Sequence, residues 1–133
     1  MKSAILPIRV VAFETDYGGV VSNTRYLEYI ERTRYHFIYA LDLSVEGVWE
    51  SDGAQPVVRR VEIDYIGFAR HEDALEMRVT VAELGRASME LEFELTRPKD
   101  GAVLMRARQT LAFLNKSWRP TRVPPSYREK LGA

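Results

Sequence analysis

Residues 75–95, LEMRVTVAELGRASMELEFEL, decide the fold class of this 133-residue chain. Apolar and polar side chains alternate with a period of two on both sides of Gly85 and Arg86. In a pleated strand this period puts every apolar side chain on one face. The stretch therefore predicts two antiparallel strands joined by a hairpin turn, with one face on a core and one toward water.

The same alternation occurs on both sides of this hairpin. Residues 61–65 and 103–113 alternate in the same way, and the segment Arg97–Gly101 has the proline and glycine of a second hairpin turn. We therefore predict four antiparallel strands of about ten residues, longer than the usual five or six.

The first half of the chain has a different pattern. Residues 5–13 predict a strand, and the loop Asp16–Gly19 follows it. From residue 23 to 41 the apolar spacing becomes helical, with Ser22 or Asn23 as the expected N-cap.

The order of elements predicts an α+β fold, a single domain over residues 1–133 with one long helix on a curved five-stranded antiparallel sheet. Residues 43–53 show no clear period and are predicted to be an irregular connection, and residues 126–131 to form one helical turn. One helix cannot cover a whole sheet, so we expect pairing of subunits to complete the burial.

Composition excludes several classes of function. Lys plus Arg and Asp plus Glu are both 19, so bulk charge does not favour nucleic acid. The absence of cysteine excludes a thiolate metal site and a cysteine nucleophile, and two histidines make an all-histidine metal site implausible. No leader and no apolar run of about 20 residues is recognisable, so a cytoplasmic protein without a membrane span is expected.

Asp16 is the first candidate for chemistry, because it lies in a glycine loop just before a helix N-terminus. Such an end presents unpaired N–H groups and about half a positive charge, which would stabilise an oxyanion. A carboxylate nearby could act as nucleophile or as base for water. The alternative is that Asp16 only bonds loop amides in an Asx-turn.

Four blocks of this sequence resemble the 4-hydroxybenzoyl-CoA thioesterase group of hotdog-fold enzymes. The first block is moderately specific, and the resemblance covers the chain from about residue 5 to residue 127. They are DYGGVVSNTRYL at 16–27, ERTR at 31–34, VEIDY at 61–65 with ARHED at 69–73, and Arg119-Pro120 followed by Val123-Pro124.

The resemblance implies the hotdog fold and acyl-CoA hydrolysis, with CoA as part of the substrate and no separate cofactor. By it, Asp16 takes the catalytic position, the backbone N–H of Asn23 polarises the carbonyl, and Gly19 allows close approach. The other implied contacts are with CoA: phosphates at Arg86, and the pantetheine path along Val57 and Val58. Members are usually homodimers built through the strand after the helix, and often dimers of dimers.

Two positions depart from one subgroup of that family. Ala12 stands where the subgroup has a tyrosine, and Asn23 where it has a histidine. The detailed mechanism and substrate of that subgroup therefore do not transfer. Asn23 instead resembles the asparagine of relatives that handle longer acyl chains.

Other polar residues have two interpretations each. Glu31 could be a second catalytic carboxylate or a helix ion pair, and His71 could contact CoA or be a solvated turn residue. Arg60 could bind phosphates or face the wrong side of its strand. Gln109, polar on an apolar strand face, could point at the active-site water or at backbone. For Arg106 and Arg108 we expect a solvated, charged sheet surface.

The sequence leaves two classes of function. One is a thioesterase acting on acyl-CoA or on an acyl carrier protein, since both carry the same pantetheine arm. The other is a non-catalytic acyl-CoA or carrier-protein binding module, because fold does not fix function. A hotdog hydratase ranks lowest, since no histidine lies in the first loop or at the helix start.

Overall fold

The computed structural model describes residues 2–132, which form one antiparallel sheet with three helices. The strands are β1 (Ser3–Arg9), β2 (Ala54–Tyr65), β3 (Ala74–Leu84), β4 (Ser88–Arg97), β5 (Ala102–Asn115) and β6 (Pro120–Thr121). The helices are α1 (Arg25–Ala40), α2 (Val45–Asp52) and α3 (Pro125–Leu131). No helix of the described residues is long and apolar enough to cross a membrane.

The order of the long strands in the sheet is β1-β3-β4-β5-β2, and every pair is antiparallel. The two predicted hairpin turns connect β3 to β4 and β4 to β5. The prediction of five strands is wrong by one, because β6 pairs with the end of β5. With two residues, one of them Pro120, β6 is too short to produce an alternating pattern.

The core lies between the inner face of the sheet and α1. Helix α1 packs against β1 and β3, with Ile30, Phe37 and Ile38 fully buried. On β3 and β4, predicted apolar positions are buried, including Met77, Val79, Leu91 and Leu95. On β2 the prediction fails at Tyr65, which is 50% exposed. Leu27, one of the apolar residues of the helical stretch predicted from 23 to 41, is 40% exposed.

The start of the chain differs from the prediction. Strand β1 ends at Arg9, and Ala12–Glu14 form a 3₁₀ turn instead of the end of a strand. Helix α1 begins two residues later than expected, after Thr24, whose side chain makes no capping bond. The predicted cap at Ser22 or Asn23 is therefore wrong, because Thr24 occupies the cap position.

The predicted irregular connection is also wrong, since it contains α2. Ser44 Oγ accepts the Gly47 N–H at 2.9 Å as an N-cap, and Gly53 ends the helix with φ of 69°, a left-handed conformation that glycine adopts freely. Eight residues are too few for an apolar period, so only the two cap residues identify this helix in the sequence. The predicted C-terminal helical turn is confirmed as α3.

The outer face of the sheet is charged, as predicted for Arg106 and Arg108. Arg106 Nε donates to Glu94 at 3.0 Å, and Arg108 pairs with Glu90 and Glu92 on the neighbouring strand. Exposed pairs of this kind contribute about 0–1 kcal/mol each. Their chief effect is to keep this face in water.

The cap of α2 allows a direct test. We predict that Ser44→Ala lowers the free energy of unfolding by about 1 kcal/mol, because it leaves the Gly47 N–H without its acceptor. Equilibrium unfolding in urea measures the change. Ser117→Ala is the control, since the Ser117 hydroxyl makes no hydrogen bond within residues 2–132. Equal stability of the two variants would contradict the assigned cap.

Candidate active site

The loop that carries Asp16 is a tight hairpin between the 3₁₀ turn and α1. The Asp16 N–H donates to the Val20 carbonyl at 2.9 Å, and the Gly19 N–H donates to the Asp16 carbonyl at 3.0 Å. Gly19 has φ of 81°, which a residue with a side chain rarely adopts. Thr15 and Val21 pair as an isolated bridge and close the loop.

The Asp16 side chain is exposed at the tip of this loop. Its Oδ1 accepts the Gly18 N–H at 2.8 Å. This hydrogen bond forms the Asx-turn expected from the sequence as the alternative to a catalytic role for Asp16. The turn fixes one carboxylate oxygen, while Oδ2 accepts no hydrogen bond within residues 2–132, so the turn leaves an oxygen available for chemistry.

Asn23 lies between this loop and the first turn of α1. Its carbonyl accepts the Tyr65 hydroxyl at 3.0 Å, and the Tyr65 ring packs edge-on against Tyr26 at 5.3 Å. Within the described part of the chain, the backbone N–H groups of Asn23 and Thr24 have no hydrogen-bond partner. The positive end of α1 therefore presents free donors on the same side of the fold as the Asp16 loop.

Glu14 is a buried carboxylate that was not predicted from the sequence. It is 7% exposed, and its Oε1 accepts the Val11 N–H at 3.0 Å and the Tyr29 hydroxyl at 2.9 Å. Burial of Tyr29 and this hydrogen bond raise the pKa of the Tyr29 hydroxyl. Only the three-residue spacing from Val11 to Glu14, typical of a capping contact, could have indicated it.

Arg86 lies far from Asp16 of the same chain. The Asp16 loop is held beside Arg70, just before β3, by the bridge of Val20 with Arg70. Arg86 is in the turn after β3, and this strand of 11 residues spans about 35 Å at about 3.3 Å per residue. The exposed Arg86 is thus at the opposite end of the sheet.

Val57 and Val58 lie at the Arg86 end as well. Val57 is opposite Ala112 in the sheet, and Ala112 is opposite Ser88, close to the Arg86 turn. Val58 is seven residues before Tyr65, the residue that contacts Asn23. The predicted site residues of one chain therefore form two groups at opposite ends of the sheet.

The two remaining residues predicted to contact CoA are Arg60 and His71. Arg60 pairs with Thr110 in the sheet, lies on the outer face and forms an ion pair with Glu62. His71 is in an exposed turn at the Asp16 end, and it makes no side-chain hydrogen bond within residues 2–132. The described residues hold no cluster of three His, Asp or Glu side chains that could bind a metal ion.

Glu31 and Gln109 both contact Arg34, which is 7% exposed. Arg34 donates to the Glu31 carboxylate and, at 3.1 Å, to Gln109 Oε1. Of the two alternatives for Glu31, the structure shows the ion pair on the helix. Gln109 binds the Arg34 side chain and not the backbone. The buried Tyr127 hydroxyl has no hydrogen-bond partner within residues 2–132, and burial raises its pKa to about 12.

The C-terminal segment adds two arginines to the Arg86 turn. The Val123 N–H donates to the Arg86 carbonyl at 2.9 Å, and Arg128 Nη2 donates to the Gly85 carbonyl at 2.5 Å. Arg122, next to Val123, is exposed. Arg86, Arg122 and Arg128 form no ion pair within residues 2–132.

The chain matches known proteins over almost its whole length. The model of the thioesterase-like superfamily matches residues 10–131. The acyl-CoA thioesterase YbgC of Haemophilus influenzae is 34% identical over 91 residues, 68% of this chain and 67% of that protein. The chloroplastic acyl-acyl carrier protein thioesterase ATL2 of Arabidopsis thaliana is 23% identical over 127 residues, 96% of this chain and 67% of that protein.

Among solved structures, Slr0204, a 1,4-dihydroxy-2-naphthoyl-CoA thioesterase from Synechocystis, superposes with a TM-score of 0.90. It is 15% identical, and the match covers 98% of this chain and 96% of that one. At this identity the likeness concerns the fold, which is the hotdog fold. The chain belongs to the thioesterase-like superfamily and is a thioester hydrolase. Membership of the narrower 4-hydroxybenzoyl-CoA group stays a prediction.

The loop predicts different effects for its two glycines. Gly19→Ala should lower the free energy of unfolding by about 1–2 kcal/mol, because alanine is strained at this φ although a Cβ would meet nothing within 4 Å. Gly18→Ala lacks that strain, but its Cβ would lie 3.2 Å from Asp16 Oδ1 and displace the carboxylate. We expect Gly18→Ala to lose turnover with less loss of stability. Urea unfolding measures the stability of each variant, and thioester hydrolysis measures its turnover. A Gly18→Ala variant less stable than Gly19→Ala would contradict the loop geometry.

Proposed function

We propose that the chain is an acyl-CoA thioesterase in which Asp16 is the catalytic carboxylate. One observation carries the proposal: an exposed carboxylate with a free oxygen is held on the loop that leads directly to the unpaired N–H of Asn23. Hydrolysis of a thioester needs a base or nucleophile on one side of the carbonyl and a donor for the developing oxyanion. Gly19 lets the backbone turn tightly enough to place the carboxylate there.

In the general-base form, Asp16 takes a proton from a water molecule while the water oxygen attacks the thioester carbon. The carbonyl electrons move to oxygen, where the N–H of Asn23 donates to the oxyanion. Collapse of the tetrahedral intermediate breaks the C–S bond, and the proton on Asp16 passes to the thiolate. The products are the free acid and CoA.

In the nucleophile form, an Asp16 oxygen attacks the same carbon, CoA leaves as the thiolate, and water hydrolyses the mixed anhydride. Neither form requires a metal or a redox cofactor, and we propose that none takes part.

The placement of the two groups supports a site shared between two copies of the chain. A pantetheine arm has about the backbone length of five residues and spans about 18 Å when extended. It cannot connect a thioester at Asp16 with the Arg86 turn of the same chain, about 35 Å away along β3. A partner must supply the Arg86 group if Arg86 binds the CoA phosphates.

Strand β2 provides the geometry for such a partner, because it is an edge strand of the sheet. Two β2 edges related by a two-fold axis pair antiparallel, which brings the Val58 end of one chain beside the Tyr65 end of the other. Val58 is 44% exposed and Tyr65 50% exposed in one chain alone, as expected for residues that a partner would cover. We propose a homodimer of this form; a dimer of dimers stays a prediction.

Arg86, Arg122 and Arg128, which form no ion pair within residues 2–132, favour an anionic substrate carrier. Val57 and Val58 would line the pantetheine path beside them, and Arg86, with Arg122 and Arg128, would hold phosphates. CoA supplies these phosphates directly, and we propose CoA as the carrier. We propose that Arg60 does not bind CoA, because it lies on the outer face of the sheet. We propose that His71 is a solvated residue beside the Asp16 loop and does not contact CoA. We also propose that the protein is located in the cytoplasm.

A non-catalytic binding module on the same fold is the alternative that the absent tyrosine and histidine helpers favour. Ala12 and Asn23 leave Asp16 as the one ionisable group that this proposal places at the reacting carbon. The activity measurement below separates the two functions.

We predict that Asp16→Asn lowers turnover by at least about 10²-fold, because an amide is neither a base nor a useful nucleophile. The assay follows free thiol from acyl-CoA esters, aliphatic from short to long plus benzoyl and phenylacetyl, and the chain has no cysteine to add background. A variant that keeps most of the activity would exclude Asp16 as the catalytic carboxylate. Wild-type protein that binds the esters and hydrolyses none of them would favour the binding module.

The shared site predicts complementation between two chains that are impaired in different ways. Arg86→Ala weakens substrate binding, and Asp16→Asn prevents the reaction. In a mixed dimer of these variants, one site carries both changes and the other carries neither, so about half of the wild-type activity should return. The two chains are co-expressed with different tags and purified in tandem, and each homodimer is the control. Activity no higher than half that of the Arg86→Ala homodimer would place both residues in the site of one chain.

A further inference from the structure

Glu14 is a buried carboxylate that the reaction above does not use. It lies on the 3₁₀ turn two residues before Asp16, and only 7% of it is exposed. A buried carboxylate costs free energy unless donors satisfy it. Its position next to the catalytic loop therefore requires a physical reason.

Three hydrogen bonds connect Glu14 to different segments. Its Oε1 accepts the Val11 N–H at 3.0 Å and the Tyr29 hydroxyl at 2.9 Å. Its backbone carbonyl accepts the N–H of Ser22, on the return side of the Asp16 loop, at 3.0 Å. Glu14 thus joins the segment before the loop, the segment after it and helix α1.

Tyr29 is the residue of α1 that donates a hydrogen bond to Glu14. It is fully buried in the second turn of α1, and its ring packs edge-on against Tyr26 at 6.0 Å. Asn23 lies two residues before Arg25, the first residue of the same helix. The Glu14–Tyr29 bond therefore fixes the distance between the loop bearing Asp16 and the helix end bearing the free Asn23 N–H.

We propose that Glu14 and Tyr29 are positioning residues of the thioesterase, which hold the Asp16 carboxylate in register with the oxyanion donor at the start of α1. The inference rests on the proposed function. The loop is also held by backbone contacts, since the Val21 N–H donates to the Ala69 carbonyl at 2.8 Å and Val20 bridges to Arg70. Within residues 2–132, no other buried side-chain hydrogen bond connects the loop to α1. A misplacement of about 1 Å between catalytic groups can cost about 10²-fold in rate.

The proposal predicts a separation of kcat from KM. Glu14→Ala removes the acceptor, and we expect kcat to fall by about 10²-fold while KM stays within about threefold, since the Arg86 group is not disturbed. Glu14→Gln keeps an oxygen acceptor for both donors and should restore kcat to within about tenfold of the wild type. Tyr29→Phe, which removes one donor only, should lie between them.

Coupling between the two residues is a further readout. If the two side chains act through one bond, the double variant Glu14→Ala/Tyr29→Phe should lose little more kcat than Glu14→Ala alone. Losses that multiply would show that the residues act independently.

A control variant separates positioning from loss of stability. Val48→Ala removes buried apolar volume in α2, away from the loop, and should lower the melting temperature through a cavity. It should leave kcat unchanged at an assay temperature well below unfolding. Hydrogen exchange of residues 16–23 should increase in Glu14→Ala and stay unchanged in Val48→Ala.

The outcomes distinguish this inference from the proposed function. Wild-type activity that is lost in Asp16→Asn, together with unchanged kcat in Glu14→Ala, would overturn the positioning role and leave the thioesterase intact. A wild type that hydrolyses no ester would overturn both. A fall in kcat in Val48→Ala equal to that in Glu14→Ala, at equal loss of melting temperature, would assign Glu14 a structural role only.

Discussion

The packing of α1 on the inner face of the sheet is the constraint on which the rest of the structure depends. Ile30, Phe37 and Ile38 bury the helix against β1 and β3, and this fixes where its N-terminus lies. Burial of apolar area at roughly 25 cal/mol per Å² supplies the stabilisation that an isolated helix lacks. The free N–H groups at its start are held in place because the rest of the helix is packed on the sheet.

The site combines a fixed helix end with a loop that would be mobile on its own. The Asx-turn of Asp16 and the left-handed Gly19 shape the loop locally, and the buried Glu14–Tyr29 bond connects it to α1. A buried carboxylate, Glu14, thus lies two residues before Asp16, the proposed catalytic carboxylate. Membership of the thioesterase-like superfamily indicates thioester hydrolysis. The geometry of the Asp16 loop and the start of α1 is the basis of the proposed mechanism.

The length of the strands explains why one chain carries two separated groups. Strand β3 alone, with 11 residues, places the Asp16 loop and the Arg86 turn at opposite ends of the molecule. A two-fold axis at the β2 edge would bring these ends together. The same long strands that build a stable sheet would then make the proposed active site a property of two chains.

The sequence by itself determined the α+β class, the two hairpins, α1 and the position of Asp16, because alternation, helical period and turn residues are local signals. It missed α2 and β6, which are too short to show a period, and it placed the start of α1 two residues early. Only the tertiary structure decided that Glu14 is buried against Tyr29, that Gln109 binds Arg34, and that Arg60 faces away from the inner side. The tertiary structure also separated Arg86 from Asp16. These facts depend on contacts between residues far apart in the chain and on strand register, which a single sequence does not encode as a local pattern.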